Sequence, residues 1–202
     1  LDSFPKVRES SQAEKMNATL NKVTLAVGDL NRMAEDFRQI LRGGSGKPFD
    51  LSQVVQHACE QVRPVADRNS VSIVLDMDNS IPKIHLNQFA LIYVIYNLLI
   101  NAVQHLEKRS ERRIAIWLGL TTQDSARYIT LKVKDSGPGI HRQLWEKIFE
   151  LGYTTRQEGS GLGLYIARSL LQTLGGRIYV EDSLIEIGTT FRIDIPEEIA
   201  TR

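Results

Sequence analysis

Cysteine occurs once in 202 residues, at position 59, so the chain has no disulfide framework and no cysteine-based zinc site. Cys59 stands among apolar residues and reads as a packing thiol. An excess of one charge is also lacking. Lysine and arginine total 25 against 24 aspartates and glutamates, and the net charge of +1 gives no electrostatic footprint for nucleic acid or an acidic membrane. No apolar run approaches the ~20 residues of a membrane span. Residues 1–11 are too polar for a signal peptide. The chain starts at Leu1, which leaves room for a membrane anchor upstream. Length favours one domain with an appendage over two domains.

The appendage is legible as a heptad. Met16, Leu20, Val23, Val27, Leu30, Ala34, Phe37 and Leu41 recur at alternating spacings of four and three, one stripe of a helix. A single helix cannot bury such a stripe. Packing on its own domain would serve, and a homodimer through this N-terminal helix suits the narrow, sustained stripe better. Gly43, Gly44 and Gly46 then form a flexible joint, which sets a division into residues 1–46 and 47–202.

Beyond the joint, Asp50 is placed to cap a helix whose apolar face is Val54, Val55, Ala58, Cys59 and Val62. The period changes to two at Val71, Ile73, Leu75 and Met77, which predicts a half-buried strand. Residues 86–106 predict a strongly apolar helix. Two alternating runs, 114–118 and 129–133, predict a hairpin around a turn at 121–126. A short helix over 144–149, a helix over 161–174 and strands at 178–181 and 191–195 complete the pattern. Mixed order without strict alternation implies an α+β fold, a two-layer α/β sandwich with one mixed sheet and helices on one face, preceded by the long helix.

Four segments carry polar chemistry on this frame. Asn97-Leu98-Leu99-Ile100-Asn101-Ala102 sets two amides one turn apart in an apolar helix. Buried amides need partners. Neighbouring backbone would satisfy them, and an amide oxygen also suits Mg²⁺. Gln104 and His105 extend that face. Asp135-Ser136-Gly137-Pro138-Gly139-Ile140 follows a strand, as a plain Gly-Pro turn would. Its carboxylate could equally accept from an exocyclic amine. Gly159-Ser160-Gly161-Leu162-Gly163-Leu164 opens a helix with bare N–H groups suited to an anion. It matches neither the dinucleotide nor the Walker A spacing. Gly188-Thr189-Thr190-Phe191 reads as turn chemistry or as hydroxyls beside a pocket.

Taken in order, these segments resemble the boxes of the histidine-kinase branch of the ATPase superfamily that includes DNA gyrase, the large heat-shock chaperone and mismatch-repair ATPases. Residues 97–102 resemble the N box and 135–139 the first glycine box. Ile148-Phe149-Glu150 with Gly152-Tyr153-Thr154-Thr155 is similar to the F box. Residues 159–164 and 188–191 resemble the remaining boxes. The resemblance spans about residues 47–196 and implies a Bergerat-type ATP-binding fold with ATP and Mg²⁺. It implies that Asp135 takes the adenine N6, with Gly137, Gly139 and Ile140 close to the base. Asn101 would bind the Mg²⁺. Gln104, His105, Tyr153, Thr154, Thr155 and Thr190 would complete the pocket. Gly159, Ser160, Gly161, Leu162, Gly163 and Leu164 would wrap the phosphates, and Arg156 would be the lid cation for the γ-phosphate. Asn97, Asn101, His105 and Arg156 would be the catalytic set.

Hydrolytic members of the superfamily carry glutamate where this chain has Asn97. An amide has no basic lone pair to activate water, so phosphoryl transfer to a positioned acceptor fits better than hydrolysis. The resemblance implies a two-component sensor kinase, a receiver domain of a response regulator as partner, and a cytoplasmic setting, either free or as part of a membrane-bound sensor. Two departures stand out. The histidines, His57, His85, His105 and His141, all lie outside the heptad helix, and none is followed by an acid, so the phosphoacceptor lies outside this chain. A nucleotide-responsive dimeric module that transfers nothing is the alternative. Gln104 stands where many relatives have lysine, which implies a lost phosphate contact and weaker affinity.

Overall fold

A computed structural model describes Met16 and residues 47–78, 80–156 and 159–201. The heptad helix expected over 1–46 lies, Met16 apart, outside the described residues. The elements run α1 (Leu51–Arg68), β1 (Ser72–Met77), α2 (Gln88–Leu106), β2 (Arg113–Gln123), β3 (Ala126–Asp135), two 3₁₀ turns (Arg142–Leu144 and Lys147–Phe149), α3 (Gly163–Thr173), β4 (Arg177–Leu184), β5 (Gly188–Pro196) and α4 (Glu197–Ala200).

Asp50 caps α1 as its residue type predicts: its Oδ1 accepts the Ser52 N–H at 2.8 Å. Pro64 sits on the exposed face, where water can take up the carbonyl it orphans. Cys59 is buried, and burial pushes its thiol up to about 11, which makes it a packing group and a poor nucleophile. Asn87 caps α2 by accepting the Ala90 N–H at 3.1 Å. Contrary to the expectation from run length, α2 is long and apolar enough to cross a membrane, with 19 residues and a mean hydropathy of 1.5. Here it is the central core helix. Leu98 and Leu99 are fully buried, each removing apolar surface worth about 2 kcal/mol.

The five strands form one sheet in the order β1-β2-β3-β5-β4, with β1 parallel to β2 and the other pairs antiparallel. Ile114, Ile116 and Leu118 of β2, Ile129, Leu131 and Val133 of β3, and Ile193 and Ile195 of β5 join the buried faces of α1, α2 and α3 in one core cluster. This is the two-layer α+β sandwich that the sequence predicts. Three local differences have physical causes. The hairpin turn is only Asp124-Ser125, both left-handed at φ 48° and 66°, so Thr121, Thr122 and Gln123 extend β2. The helix expected at 144–149 is two 3₁₀ turns. Strand β1 lies at the sheet edge, and of the residues expected on its half-buried face Leu75 is exposed.

The opposite face of the sheet holds a second kind of interior. Asp194 is completely buried there. It accepts from Thr130 Oγ1 at 2.7 Å, Arg192 Nε at 2.7 Å, Tyr179 Oη at 2.9 Å and Arg177 Nη2 at 3.0 Å. Glu181 joins Arg192 and Lys132, each at 2.8 Å. Burial alone would push the Asp194 carboxyl up. The hydrogen bonds from Thr130, Arg192 and Tyr179 outweigh it and hold the group below its ordinary value.

Candidate functional site

One cavity of about 620 Å³ opens between α2, the 3₁₀ segment, the loop before α3 and the ends of β3 and β5. α2 forms its wall with the stripe Asn97, Asn101, Gln104 and His105, spaced by four, three and one residues. Asn97 and His105 are about 12 Å apart along the axis. The two ends differ in chemistry. At the Asn97 end lies the N-terminus of α3, so close that a Cβ on Gly163 would stand 2.5 Å from Asn97 Oδ1. At the His105 end lies Asp135, which pairs with Thr189 across the sheet.

The polar groups divide into those with protein partners and those without. Asn97 Nδ2 donates to the Tyr93 carbonyl at 2.9 Å, the backbone bond that its position in an apolar helix allows. His105 Nδ1 lies 2.7 Å from the Asn101 carbonyl oxygen. A carbonyl only accepts, so Nδ1 carries the hydrogen. The Asn101 side chain lines the cavity and makes no hydrogen bond among the described residues. Those residues also hold no group of three or more His, Cys, Asp or Glu able to bind a metal. A cation here would rest on the Asn101 oxygen and on phosphate oxygens, a donor set that fits Mg²⁺.

Asp135 is buried with its carboxylate at the cavity wall. Burial pushes its pKa above the ordinary value, against the backbone N–H groups of Gly137 and Thr189 and the nearby His105. The Gly137 N–H donates to Asp135 Oδ1 at 2.8 Å. Gly137 therefore orients the carboxylate and does not line the cavity. Gly139 does line it, at φ 75°, and a Cβ there would meet the Leu184 carbonyl at 2.3 Å. The β4–β5 hairpin braces that turn: the Glu186 N–H donates to the Pro138 carbonyl at 2.8 Å, and the Glu186 carboxylate pairs with Arg109. Ile140 is fixed by Ser183 Oγ at 2.7 Å and by Trp145 Nε1, which donates to its carbonyl at 3.0 Å.

The loop before α3 supplies Tyr153, Thr154, Thr155, Arg156, Gly159, Ser160, Gly161 and Leu162 to the lining, and the first turn of α3 supplies Gly163 and Leu164. The base of the loop is closed by the Gly152 N–H donating to the Gly161 carbonyl at 3.2 Å. Gly161 sits at φ 69°, where a Cβ would lie 2.3 Å from the Gly152 carbonyl carbon. The Thr154 hydroxyl accepts from the Arg156 N–H at 3.1 Å, and the Arg156 guanidinium donates to the Gln104 side-chain oxygen.

Thr190 is a correction: it does not line the cavity, and its neighbour Thr189 does. Strand alternation decides this, because only one of two successive residues can face the helices. Sequence reasoning also passed over Tyr93, Tyr96, His141 and Leu144, all lining residues. Tyr93 and Tyr96 lie one turn below Asn97 and Ile100, a helical spacing that could have found them. Phe191 packs edge-on to Phe149 with ring centroids 6.3 Å apart, a contact between distant segments with no local signal. Of the other histidines, His57 is exposed on α1 beside Gln61, and His85 lies outside the cavity.

With this geometry described, residues 87–199 match the family model of histidine kinase-, DNA gyrase B- and HSP90-like ATPases. Among curated proteins, the signal transduction histidine-protein kinase AtoS of Escherichia coli is 27% identical over 179 residues, covering 88% of this chain and 28% of that protein. The sensor histidine kinase Hik2 of Thermosynechococcus vestitus is 31% identical, covering 83% of this chain and 46% of its own. The chain thus spans less than half the length of either relative. Among solved structures, the mycobacterial sensor histidine kinase MprB superposes with a TM-score of 0.60 at 25% identity, over 74% of this chain and 96% of that one. Full-length ShkA in complex with AMPPNP shares the fold, with a TM-score of 0.65 at 22% identity, over all of this chain and 41% of that one.

Proposed function

Because the chain belongs to the family of histidine kinase-, DNA gyrase B- and HSP90-like ATPases, we propose that residues 47–202 are the catalytic domain of a two-component sensor histidine kinase. On this reading the domain binds Mg-ATP and passes the γ-phosphoryl group to a histidine outside this chain, for relay to a response regulator. The heptad pattern of residues 1–46 serves dimerisation of the same cytoplasmic unit on this reading. The observation that carries the reading is the pairing within one cavity of a buried, cavity-facing carboxylate, Asp135, with an amide, Asn101, whose side chain makes no hydrogen bond among the described residues.

Asp135 accepts the adenine amine at the end of the cavity that His105 and Ile140 close. The phosphates run along α2 toward the Asn97 end, over the backbone of 160–163 and the positive end of α3. Asn101 holds Mg²⁺, which neutralises phosphate charge when bound. Arg156 adds a cation to the phosphate chain from the facing loop. Asn97 abstracts no proton, since its amide is not basic and its NH₂ is engaged with Tyr93. Transfer then rests on positioning and charge neutralisation.

A second reading is a nucleotide-responsive dimeric module that transfers nothing. An acceptor-bearing helix bundle supplied in trans with γ-labelled ATP separates the two. Label on the bundle histidine is the expected outcome. Nucleotide binding without any transfer would establish the regulatory module, and steady phosphate release without an acceptor would establish a hydrolase.

A further inference from the structure

Gln104 departs from the pattern that the resemblance implies, which has a lysine at this position. On sequence alone that is a lost cation. The structure returns one from across the cavity: the Arg156 guanidinium reaches the Gln104 side chain and donates to its oxygen. Both residues line the cavity and both are part-buried. Gln104 lies on the same stripe of α2 as Asn101, three residues on and beside His105. The guanidinium is therefore held between the amide assigned to magnesium and the end of the cavity that Asp135 occupies.

The arginine is fixed from its other side too. Thr154 Oγ1 accepts the Arg156 N–H at 3.1 Å, and the Arg156 carbonyl accepts the Gly159 N–H at 3.3 Å. Backbone and side chain are thus both held before any ligand arrives. The chemistry of the partner matters. A carboxylate at position 104 would hold the guanidinium equally well and cancel its charge. An amide oxygen orients the guanidinium and leaves the charge whole for an anion. A guanidinium has five N–H donors, so the Gln104 contact leaves others for phosphate oxygens.

We propose that Gln104 is a positioning residue for the nucleotide phosphates: its amide oxygen pre-places the Arg156 guanidinium in the cavity, so that a loop arginine supplies the cation this chain lacks on α2. The assignment rests on the nucleotide reading above. It replaces the expectation that Gln104 only weakens binding.

The test is a double-mutant cycle read by calorimetric titration of the folded protein with Mg-ATP and, separately, with adenosine. Arg156→Ala should weaken Mg-ATP by about tenfold, the lower end for hydrogen bonds to charged groups, and Gln104→Leu by about threefold, the size of an ordinary hydrogen bond, with adenosine unchanged. The double variant should be no worse than Arg156→Ala alone. Gln104→Glu should weaken Mg-ATP more than Gln104→Leu. Gln104→Lys placed in the Arg156→Ala background should restore part of the loss. Multiplying single effects in the double variant would overturn the assignment and make Gln104 an independent phosphate ligand. Equal losses for Mg-ATP and adenosine would also overturn it, as a general pocket defect. A wild-type protein that takes up no Mg-ATP would defeat the nucleotide reading itself, and this assignment with it.

Discussion

Asp135 at the end of β3 and Asp194 in β5 are both out of water, 7% and 0% exposed, on strands that pair with each other. Their surroundings are opposite. Asp194 is ringed by protein donors from Thr130, Tyr179, Arg177 and Arg192, and its carboxyl is held below the ordinary range. Asp135 has two backbone N–H groups and a cavity, and burial wins, so its carboxyl is pushed up. A carboxylate satisfied by the protein stabilises the fold. On the proposed reading, one with fewer protein donors at a cavity wall is left for a ligand. The comparison separates structure from function on a single sheet.

The largest effect that would break this comparison lies on the structural side. Asp194→Ala takes from Arg177 its carboxylate partner and from Arg192 one of two, the other being Glu181, and should cost about 3 kcal/mol of unfolding free energy in a denaturant titration. A cost below that of an ordinary surface substitution would remove Asp194 from its structural role. Next comes Asp135→Asn, which should weaken ATP by about tenfold or more, the size of a hydrogen bond to a charged group. It should leave GTP binding unaffected and thermal stability equal or higher, because the amide carries no buried charge. Equal losses for ATP and GTP would contradict the base-recognition role.

The smallest effect is in pH, and the two aspartates move oppositely. Asp135 has a raised folded pKa, so its ionised form costs stability and that cost disappears as pH falls. Nucleotide affinity should fall over the same acid window, above the pH at which ordinary carboxylates protonate, and Asp135→Asn should abolish that dependence. Asp194 has a lowered folded pKa, so its contribution is present above the unfolded value and is lost only as pH falls through the lower folded one. Calorimetry across pH checks both. A pH-independent affinity in the wild type would separate Asp135 from the ligand.

The asymmetry extends to what the sequence discloses. α1, α2 and the strands were legible because burial imposes its period on the residues: Leu98 and Leu99 in α2, Ile114 and Ile116 in β2. The Asn97–Asn101 spacing and the glycine segments were legible because close approach of backbone and ligand demands those residue types. The Asp194 network was not, since its members are scattered over β3, β4 and β5 and meet only through strand pairing. Thr189 was mistaken for Thr190 because both are threonines at a strand start, and only the register tells which one faces the cavity. The Arg156–Gln104 contact joins positions 52 apart and left no local trace.

The account stands most directly on titration of the folded chain with ATP in the presence and absence of magnesium. It predicts saturable uptake at one site, strengthened by magnesium in the wild type and no longer strengthened in Asn101→Ala. Absence of uptake by protein shown to be folded would contradict it.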